Sequence, residues 1–310
     1  MSNSQKTPII LVTGGAGFIG SHITDVLATN GYRVIIADNL SSKNSGYRNP
    51  SATYITVNIL SDEFETLFKD YQIEACVHLA ANASVSISNQ NPEYDAIQNI
   101  IGSLHVINLC KKYHVKKLIA ASSAAVYGNP QYLPIDEKHP TNPISYYGLS
   151  KLTMEHYIKL SGLDYIIFRF ANVYGERQTS QGEAGVISIF DNAMYKHLDV
   201  FVDGDGEQTR DFIYVKDIAK AVMTAINSDI KNKIINVSTN TALSVNDLFS
   251  LMKKIYAYPK SAQYREARAG DIKASRLDNT LFMTLISDKQ TPFVEGLKNL
   301  CNATKGCINE

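Results

Sequence analysis

The 310-residue chain carries no excess charge of either sign, with 30 lysines and arginines against 30 aspartates and glutamates. Without a basic field, nucleic acid and anionic membranes have nothing to draw them to the surface as a whole, so an anionic substrate must be met by local arginines. Long apolar runs are missing too. Met1 to Pro8 leads straight into a strand of a few apolar residues, with neither a signal-peptide core nor the roughly 20 apolar residues of a membrane span. A cytoplasmic protein is expected. Cysteine occurs only at 76, 110, 301 and 307, with no Cys-x-x-Cys spacing, and no residue is assigned to a metal. Cys76 and Cys110 sit in apolar patterns and read as core residues, while a reducing compartment opposes pairing of Cys301 with Cys307. Internal repeats and low-complexity tracts are absent. What remains is an ordinary globular composition in a chain long enough to bury a full sheet core and a second lobe.

Ile9 to Val12 is a short apolar run of β character, followed by Thr13-Gly14-Gly15-Ala16-Gly17-Phe18-Ile19-Gly20-Ser21 and a helical stretch from His22 to Thr29. Such a turn brings backbone close to a pyrophosphate. Side chains at Gly14 and Gly17 would obstruct that approach, and Gly20 permits tight helix packing. The helix amino terminus adds unpaired amides and a partial positive charge. A second strand, Arg33 to Ala37, ends in Asp38, 18 residues beyond Gly20. A carboxylate placed there accepts both hydroxyls of an adenosine ribose and repels a 2′-phosphate. NAD is thereby favoured over NADP, with Lys43 the one cation nearby.

Strand-like runs recur at 53–57, 75–79, 117–121 and 165–170, and helical patterns lie between them at 93–113 and 145–160. The alternation predicts an α/β fold, a doubly wound parallel sheet of the Rossmann type. Ligands bind such sheets at the carboxyl ends of strands, where Asp38, Asn58, Ala80, Ser123 and Asn172 all fall. After residue 172 the alternation weakens, which predicts a smaller, discontinuous carboxy-terminal lobe for the substrate. Residues 1–172 with about 212–239 are assigned to the cofactor domain, and 173–211 with about 240–310 to the second lobe.

Near the middle stand Ser123, within Ala-Ser-Ser-Ala-Ala-Val-Tyr-Gly, and the run Tyr147-Gly-Leu-Ser-Lys151. On a helix, Tyr147 and Lys151 share a face with roughly 5–6 Å between their Cβ atoms. The ammonium then draws the phenol's pKa, about 10 when free, toward working pH. A tyrosine so tuned takes a proton from a sugar or alcohol hydroxyl. Tyr-x-x-x-Lys occurs by chance in many proteins, and its meaning here comes from the dinucleotide site beside it.

Taken together, Thr13 to Ser21, Asp38 to Ser42, His78-Leu79-Ala80-Ala81, Ser122 to Gly128, Tyr147 to Lys151, Arg169 to Gly175 and Gln208 to Val215 resemble the extended short-chain dehydrogenase/reductase family. Within it the chain most resembles the UDP-glucose 4-epimerases, from residue 9 to about 278. The resemblance implies that Phe18, Ile19, Asp38, Asn39, Leu40, Ser41, Ser42, Lys43, Asn58, Ile59, Leu79, Ala80, Ala81, Asn82, Ala83, Asn99, Tyr147, Lys151 and Ala171 line a tightly held NAD that is regenerated each turnover. It implies further that Ser123, Tyr147, Asn172, Arg210, Arg268 and Asp271 face a UDP-sugar. Arg210 and Arg268 suit a diphosphate, because guanidinium forks bind phosphate oxygens bidentately. Asn58 departs from the aspartate common in the family, although an amide still hydrogen-bonds adenine. By alignment, Ser275 falls at a gatekeeper position. Its small side chain implies that UDP-N-acetylglucosamine is accepted as well as UDP-glucose.

Relatives that dehydrate nucleotide sugars carry an acidic pair after the serine or threonine, and decarboxylating relatives keep a glutamate there. This chain has Ala124 and Ala125. With only Ser123, Tyr147 and Lys151 available, the implied chemistry is reversible oxidation at one carbinol: C4 epimerisation through a transient 4-keto sugar, the work of an isomerase. Two other readings stand beside it, a dehydrogenase or reductase of the same fold with net NAD(H) turnover and a non-catalytic NAD sensor. Relatives often dimerise through the helices that hold Asn99 and Tyr147, which implies a homodimer. The final stretch lacks their usual pattern, and only Val294-Glu295-Gly296-Leu297 resembles their last helix.

Overall fold

A computed structural model describes residues 7–42, 46–180, 185–267, 272–285 and 289–306. Seven strands form one parallel sheet: β1 (Ile9–Thr13), β2 (Arg33–Asp38), β3 (Thr53–Thr56), β4 (Ile73–His78), β5 (Lys117–Ser123), β6 (Tyr165–Phe170) and β7 (Lys233–Val237), in the order β7-β6-β5-β4-β1-β2-β3. The chain winds outward from β1 through β2 to β3, then returns to β4 and winds the other way. The crevice therefore opens at the carboxyl ends of β1 and β4, where the winding reverses.

The central strands are apolar on both faces because helices cover both. Ile10 and Val12 of β1 join a core with Ile23 and Leu27 of α1 (Phe18–Thr29) and Ala219, Val222 and Ala225 of the helix Val215–Asn227. Ile9 and Leu11 point the other way, into a core with Val106, Ile107 and Cys110 of the helix Gly102–Lys112 and Met154 and Ile158 of the helix Tyr146–Leu160. This alternation is the period-2 consequence of strand geometry. Cys76 and Cys110 are fully buried, as their apolar surroundings predict.

A third core gathers Tyr174, Phe190, Phe212, Val245, Leu248 and Leu297. Phe212–Tyr214 pairs with Asn172–Tyr174 and not with the large sheet; the segment that returns to the sheet is the helix after it, with β7 as an edge strand. The carboxy-terminal helix Phe293–Gly306 packs on this third core, burying Leu297, Leu300 and Cys301. Gly296 permits the contact, since a Cβ there would lie 2.2 Å from Tyr174 Oη. Cys307 lies outside the described residues.

Candidate active site

The groove at the winding reversal starts from the glycine turn. Gly14 has φ +70°, and a Cβ on it would meet the Ala80 backbone nitrogen at 2.7 Å, so only glycine lets the turn lie against the end of β4. A Cβ at Gly20 would meet Gly14 O at 2.3 Å, and its absence lets α1 start tight against the turn. Gly17 caps α1 without a side-chain hydrogen bond. The first amides of the helix are thereby left for an anion, which fits a dinucleotide pyrophosphate. Asp38 closes the turn from the other side: Oδ2 accepts Ala16 N–H at 2.9 Å and Oδ1 accepts Leu40 N–H at 2.8 Å. Each oxygen keeps a lone pair for a ribose hydroxyl.

Gly14, Gly17, Phe18, Ile19, Gly20, Asp38, Asn39, Ser41, Ser42, Asn58, Ile59, Leu79 to Ala83, Tyr147 and Lys151 line this one groove. Three expected residues do not. Leu40 gives its N–H to Asp38 in a left-handed turn, φ 57°, and its side chain is 37% exposed. Ala171 is buried with its N–H on Val237 O at 3.0 Å, and Phe170 lines the groove in its place. Asn99 is buried one layer back, where its amide holds both backbone groups of Asn82, accepting from N at 2.8 Å and donating to O at 2.9 Å. Asn99 lies in a wide π-type turn, Ile97–Ile101, that interrupts the expected 93–113 helix and aims it inward. Lys43 lies outside the described residues. Ala37, Val57, Tyr94, Gln98, Ala121 and Ser122 also line the groove. Ala37, Ala121, Ser122 and Phe170 were findable from the strand-end rule, whereas Tyr94 and Gln98 carried no signal.

At one end of the groove the helix Tyr146–Leu160 begins, capped by Ser145, whose Oγ accepts Gly148 N–H at 3.1 Å. Tyr147 donates its backbone N–H to Ser88 Oγ at 3.1 Å. Lys151 is buried, donates to Ala121 O at 3.0 Å, and holds its nitrogen 5.9 Å from the Tyr147 ring centre. The adjacent serines differ. Ser122 spends its hydroxyl proton on Glu155 at 2.6 Å, whereas Ser123 Oγ accepts Ala125 N–H at 3.2 Å and keeps a proton to donate. Ser123 stands half-buried next to the groove wall that Ser122 forms.

His78 sits behind this end, fully buried. Burial first, and then the Lys151 charge, hold its pKa down to about 3, so the ring is neutral. Its tautomer follows from its neighbours. Ser103 gives its proton to Asn99 O at 2.6 Å and so accepts from His78 Nε2–H at 2.9 Å, leaving Nδ1 to accept the Thr13 hydroxyl at 2.8 Å.

A second cleft lies among the smaller elements. Asn172 and Arg210 line it as expected, with Val186, Phe201, Gln208 and Arg265, which sequence reasoning missed. Asn172 donates to Asp211 O at 3.2 Å, and Arg210 to Thr209 O at 2.9 Å. Ser275 stands beside this cleft and not on its wall, buried, with its N–H on Thr209 O at 3.1 Å. Arg268 and Asp271 lie outside the described residues. Next to Arg210 in the chain, buried Asp211 accepts Thr239 N–H and hydroxyl at 2.9 and 2.8 Å. Burial pushes its pKa up to about 6, against the pull of these bonds. Among the described residues, no helix is long and apolar enough to cross a membrane.

Residues 10–238 match the model of the family described as NAD dependent epimerase/dehydratase. The crystal structure of the UDP-glucose 4-epimerase of Thermotoga maritima with UDP-glucose is 41% identical, covers 97% of this chain and 99% of that one, and superposes with a TM-score of 0.94. A UDP-N-acetylglucosamine 4-epimerase from Methanobrevibacter ruminantium, in complex with UDP-N-acetylmuramic acid, is 35% identical over 98% of this chain and 100% of that one, with a TM-score of 0.91. The UDP-glucose 4-epimerase of Mycolicibacterium smegmatis is 33% identical over 298 residues, 93% of this chain and 95% of its own.

Proposed function

The chain belongs to the NAD dependent epimerase/dehydratase family, and on that premise we propose that it inverts carbon 4 of a UDP-hexose, interconverting UDP-glucose and UDP-galactose and accepting their N-acetylated counterparts. Isomerisation is its reaction class and NAD its cofactor. The observation that carries the reading is the chemistry at the end of the groove. A tyrosine stands one turn from a buried lysine, a neighbouring serine keeps a proton to donate, and alanines occupy 124 and 125, where eliminating water requires an acid and a base.

Asp38 would hold the adenosine ribose, the amides at the start of α1 the pyrophosphate, and Lys151 the nicotinamide ribose. Bound there, NAD would supply the hydride acceptor and donor for carbon 4, whose configuration inverts when the hydride comes back to the opposite face. Tyr147, as phenolate, removes the proton from the carbon-4 hydroxyl and later gives it back. Lys151 lowers the phenol's pKa through its charge. Ser123 donates its hydroxyl proton to the sugar oxygen and steadies it. The resulting 4-keto sugar turns about its link to the diphosphate, so the anchoring groups belong on the nucleotide: Asn172 and Arg210, joined by Arg268 and Asp271. Acceptance of an N-acetyl group is supported by the likeness to the UDP-N-acetylglucosamine 4-epimerase of Methanobrevibacter ruminantium, and Ser275, buried off the wall of the second cleft, puts no bulk in its way. We assign residues 1–172 with about 212–239 to the cofactor domain and 173–211 with about 240–310 to the substrate lobe.

The same reading extends to assembly. Tyr146, Leu149, Tyr157 and Leu160 expose one stripe of their helix, and Ile97 and Ile101 one stripe of the neighbouring segment. Two such stripes packed against those of a second copy would make a homodimer. The free, buried thiols of Cys76, Cys110 and Cys301 fit a reducing, cytoplasmic setting.

The test is product analysis by NMR after incubation with UDP-galactose, and separately UDP-N-acetylgalactosamine, with no added NAD. Conversion to the C4 epimers is expected, and Tyr147→Phe should abolish it with NAD still bound. A dehydrogenase would instead release reduced cofactor in proportion to substrate. Near wild-type turnover by the phenylalanine variant would sink the assignment of Tyr147.

A further inference from the structure

Behind the Tyr147–Lys151 turn lies a buried polar chain that the proposed reaction does not use. Glu155, one turn beyond Lys151 and 0% exposed, accepts both forks of Arg169, Nε on Oε1 at 2.9 Å and Nη2 on Oε2 at 2.6 Å. It also accepts the Ser122 hydroxyl at 2.6 Å. The remaining nitrogen of Arg169 donates to Tyr127 Oη at 2.9 Å. Tyr127 donates to Asn236 Oδ1 at 2.6 Å, and Asn236 to Ile135 O at 2.9 Å. One set of bonds thus pins the helix bearing Tyr147 and Lys151, the strand ending in Ser122 and Ser123, the turn behind Ser123, and edge strand β7.

Stability alone does not account for the charges. Desolvation largely offsets the attraction in a buried pair, and apolar residues of similar volume fill such places at no loss. Arginine cannot shed its proton, so an unpartnered Arg169 would be a fixed positive charge in a low-dielectric interior. Glu155 lies eight residues from Tyr147 on one helix, about 12 Å along its axis. At that separation a lone charge still reaches the phenol.

We infer that Glu155 and Arg169 are positioning residues of the catalytic centre: they fix the catalytic helix against Ser122 and Ser123 and cancel each other's charge, so that neither biases the acidity that Lys151 confers on Tyr147. The inference rests on Tyr147 as the base. The other ionisable groups on this helix and the elements packed on it are Tyr146, Lys151, His156, Tyr157 and Lys159 on the helix itself, Glu93, Tyr94 and Asp95 on the helix Pro92–Ala96, Lys117 on β5 and Tyr165 on β6, with neutral His78 on β4. The packed segments 85–90 and 97–101 carry none, and those of the helix Gly102–Lys112, at His105, Lys111 and Lys112, stand well along it.

Tyrosinate absorbance, titrated in the purified full-length protein and differenced against Tyr147→Phe, reads this acidity without any turnover. Glu155→Gln strands a guanidinium that cannot neutralise, and should lower the Tyr147 pKa by about half to one pH unit. Arg169→Met strands a buried carboxyl that can take up a proton, so the Tyr147 pKa should stay or rise and not fall. The double variant should return it to the wild-type value. A Glu155→Gln titration left in place or moved up, or a fall in Arg169→Met, overturns the inference. If Glu155→Gln does not fold, Glu155→Met decides in its place, a fall supporting the inference and no fall overturning it. Absence of any low-pKa signal attributable to Tyr147 would instead undo the reading of that residue as the base, so the two failures are distinguishable.

Discussion

Replacing Lys151 by methionine removes a charge and keeps most of the bulk. The lysine nitrogen stands 5.9 Å from the Tyr147 ring centre. At an effective dielectric constant of about 20, a unit charge at that distance favours the phenolate by about 3 kcal/mol, or about two pH units. Epimerisation by Lys151→Met should therefore be about 100-fold slower near pH 8. The deficit should also depend on pH: log kcat of the variant should rise with a slope near one toward about pH 10 and converge on the wild type. Initial rates of UDP-galactose conversion across that range, with saturating NAD, separate the charge effect from weaker grip on the nicotinamide ribose. Freeing Ala121 O, which now accepts Lys151 at 3.0 Å, should cost about 1–3 kcal/mol of stability, so rates belong well below the variant's melting temperature. A deficit equal at every pH would refute the reasoning, because a lysine that only holds the cofactor has no reason to change the slope.

Asp38→Asn should weaken NAD binding about 10- to 100-fold, since a charge-assisted bond contributes about 1.5–3 kcal/mol and an amide cannot accept both Ala16 and Leu40 N–H. Calorimetric titration with NAD checks it, and unchanged affinity would count against the carboxylate as the ribose ligand. Asp211 has a folded pKa raised to about 6 by burial. Its proton therefore stabilises the fold fully below about pH 4, the unfolded value, and that contribution is lost as pH rises through 6. Relative to Asp211→Asn, the wild type should be more stable at about pH 4 than at pH 7 by about 3 kcal/mol in urea unfolding; a pH-independent gap would remove Asp211 as the linked group. Leu149→Glu places a charge on the exposed stripe of the catalytic helix, where Leu149 is 50% exposed, and should halve the mass seen by light scattering. An unchanged mass would place any dimer contact elsewhere.

The cofactor half was legible because backbone demands on it are local. A left-handed Gly14, a Gly20 with no room for Cβ, and an acid at the end of β2 are each visible in a dozen residues. Asn99 marks the limit of that legibility. The family pattern places it at the cofactor, yet the structure sets it one layer back, holding Asn82, because a π-type turn shifts the helix register there. Leu40 also departs from the groove wall: its backbone N–H bonds Asp38 while its side chain lies outside the lining. The second cleft was the least readable. Phe201 and Arg265 come from short strands paired across distant sequence, and Gln208 from the loop between strands, and no local period announces such placements. Edge strand β7, Lys-Ile-Ile-Asn-Val, is too short and too isolated to be told by pattern from a loop, and only its pairing with β6 defines it.

Burial of the polar groups is distributed unevenly between the two clefts, and the proposed reaction accounts for the asymmetry. On the cofactor side the polar groups are buried and committed: His78 between Thr13 and Ser103, Asn99 on Asn82, Ser122 on Glu155, Lys151 on Ala121. In the second cleft Asn172 and Arg265 are exposed, and Arg210 and Gln208 are half-buried. Hydride that leaves one face of a carbon and returns to the other requires a base that stays still and a sugar that does not. Contacts gripping the hexose equally before and after it turns would tighten binding without speeding turnover. On the proposed reading, a base backed by buried bonds and arginines directed at the nucleotide would divide the work accordingly, with Ser123 and Tyr147 meeting the sugar where charge develops.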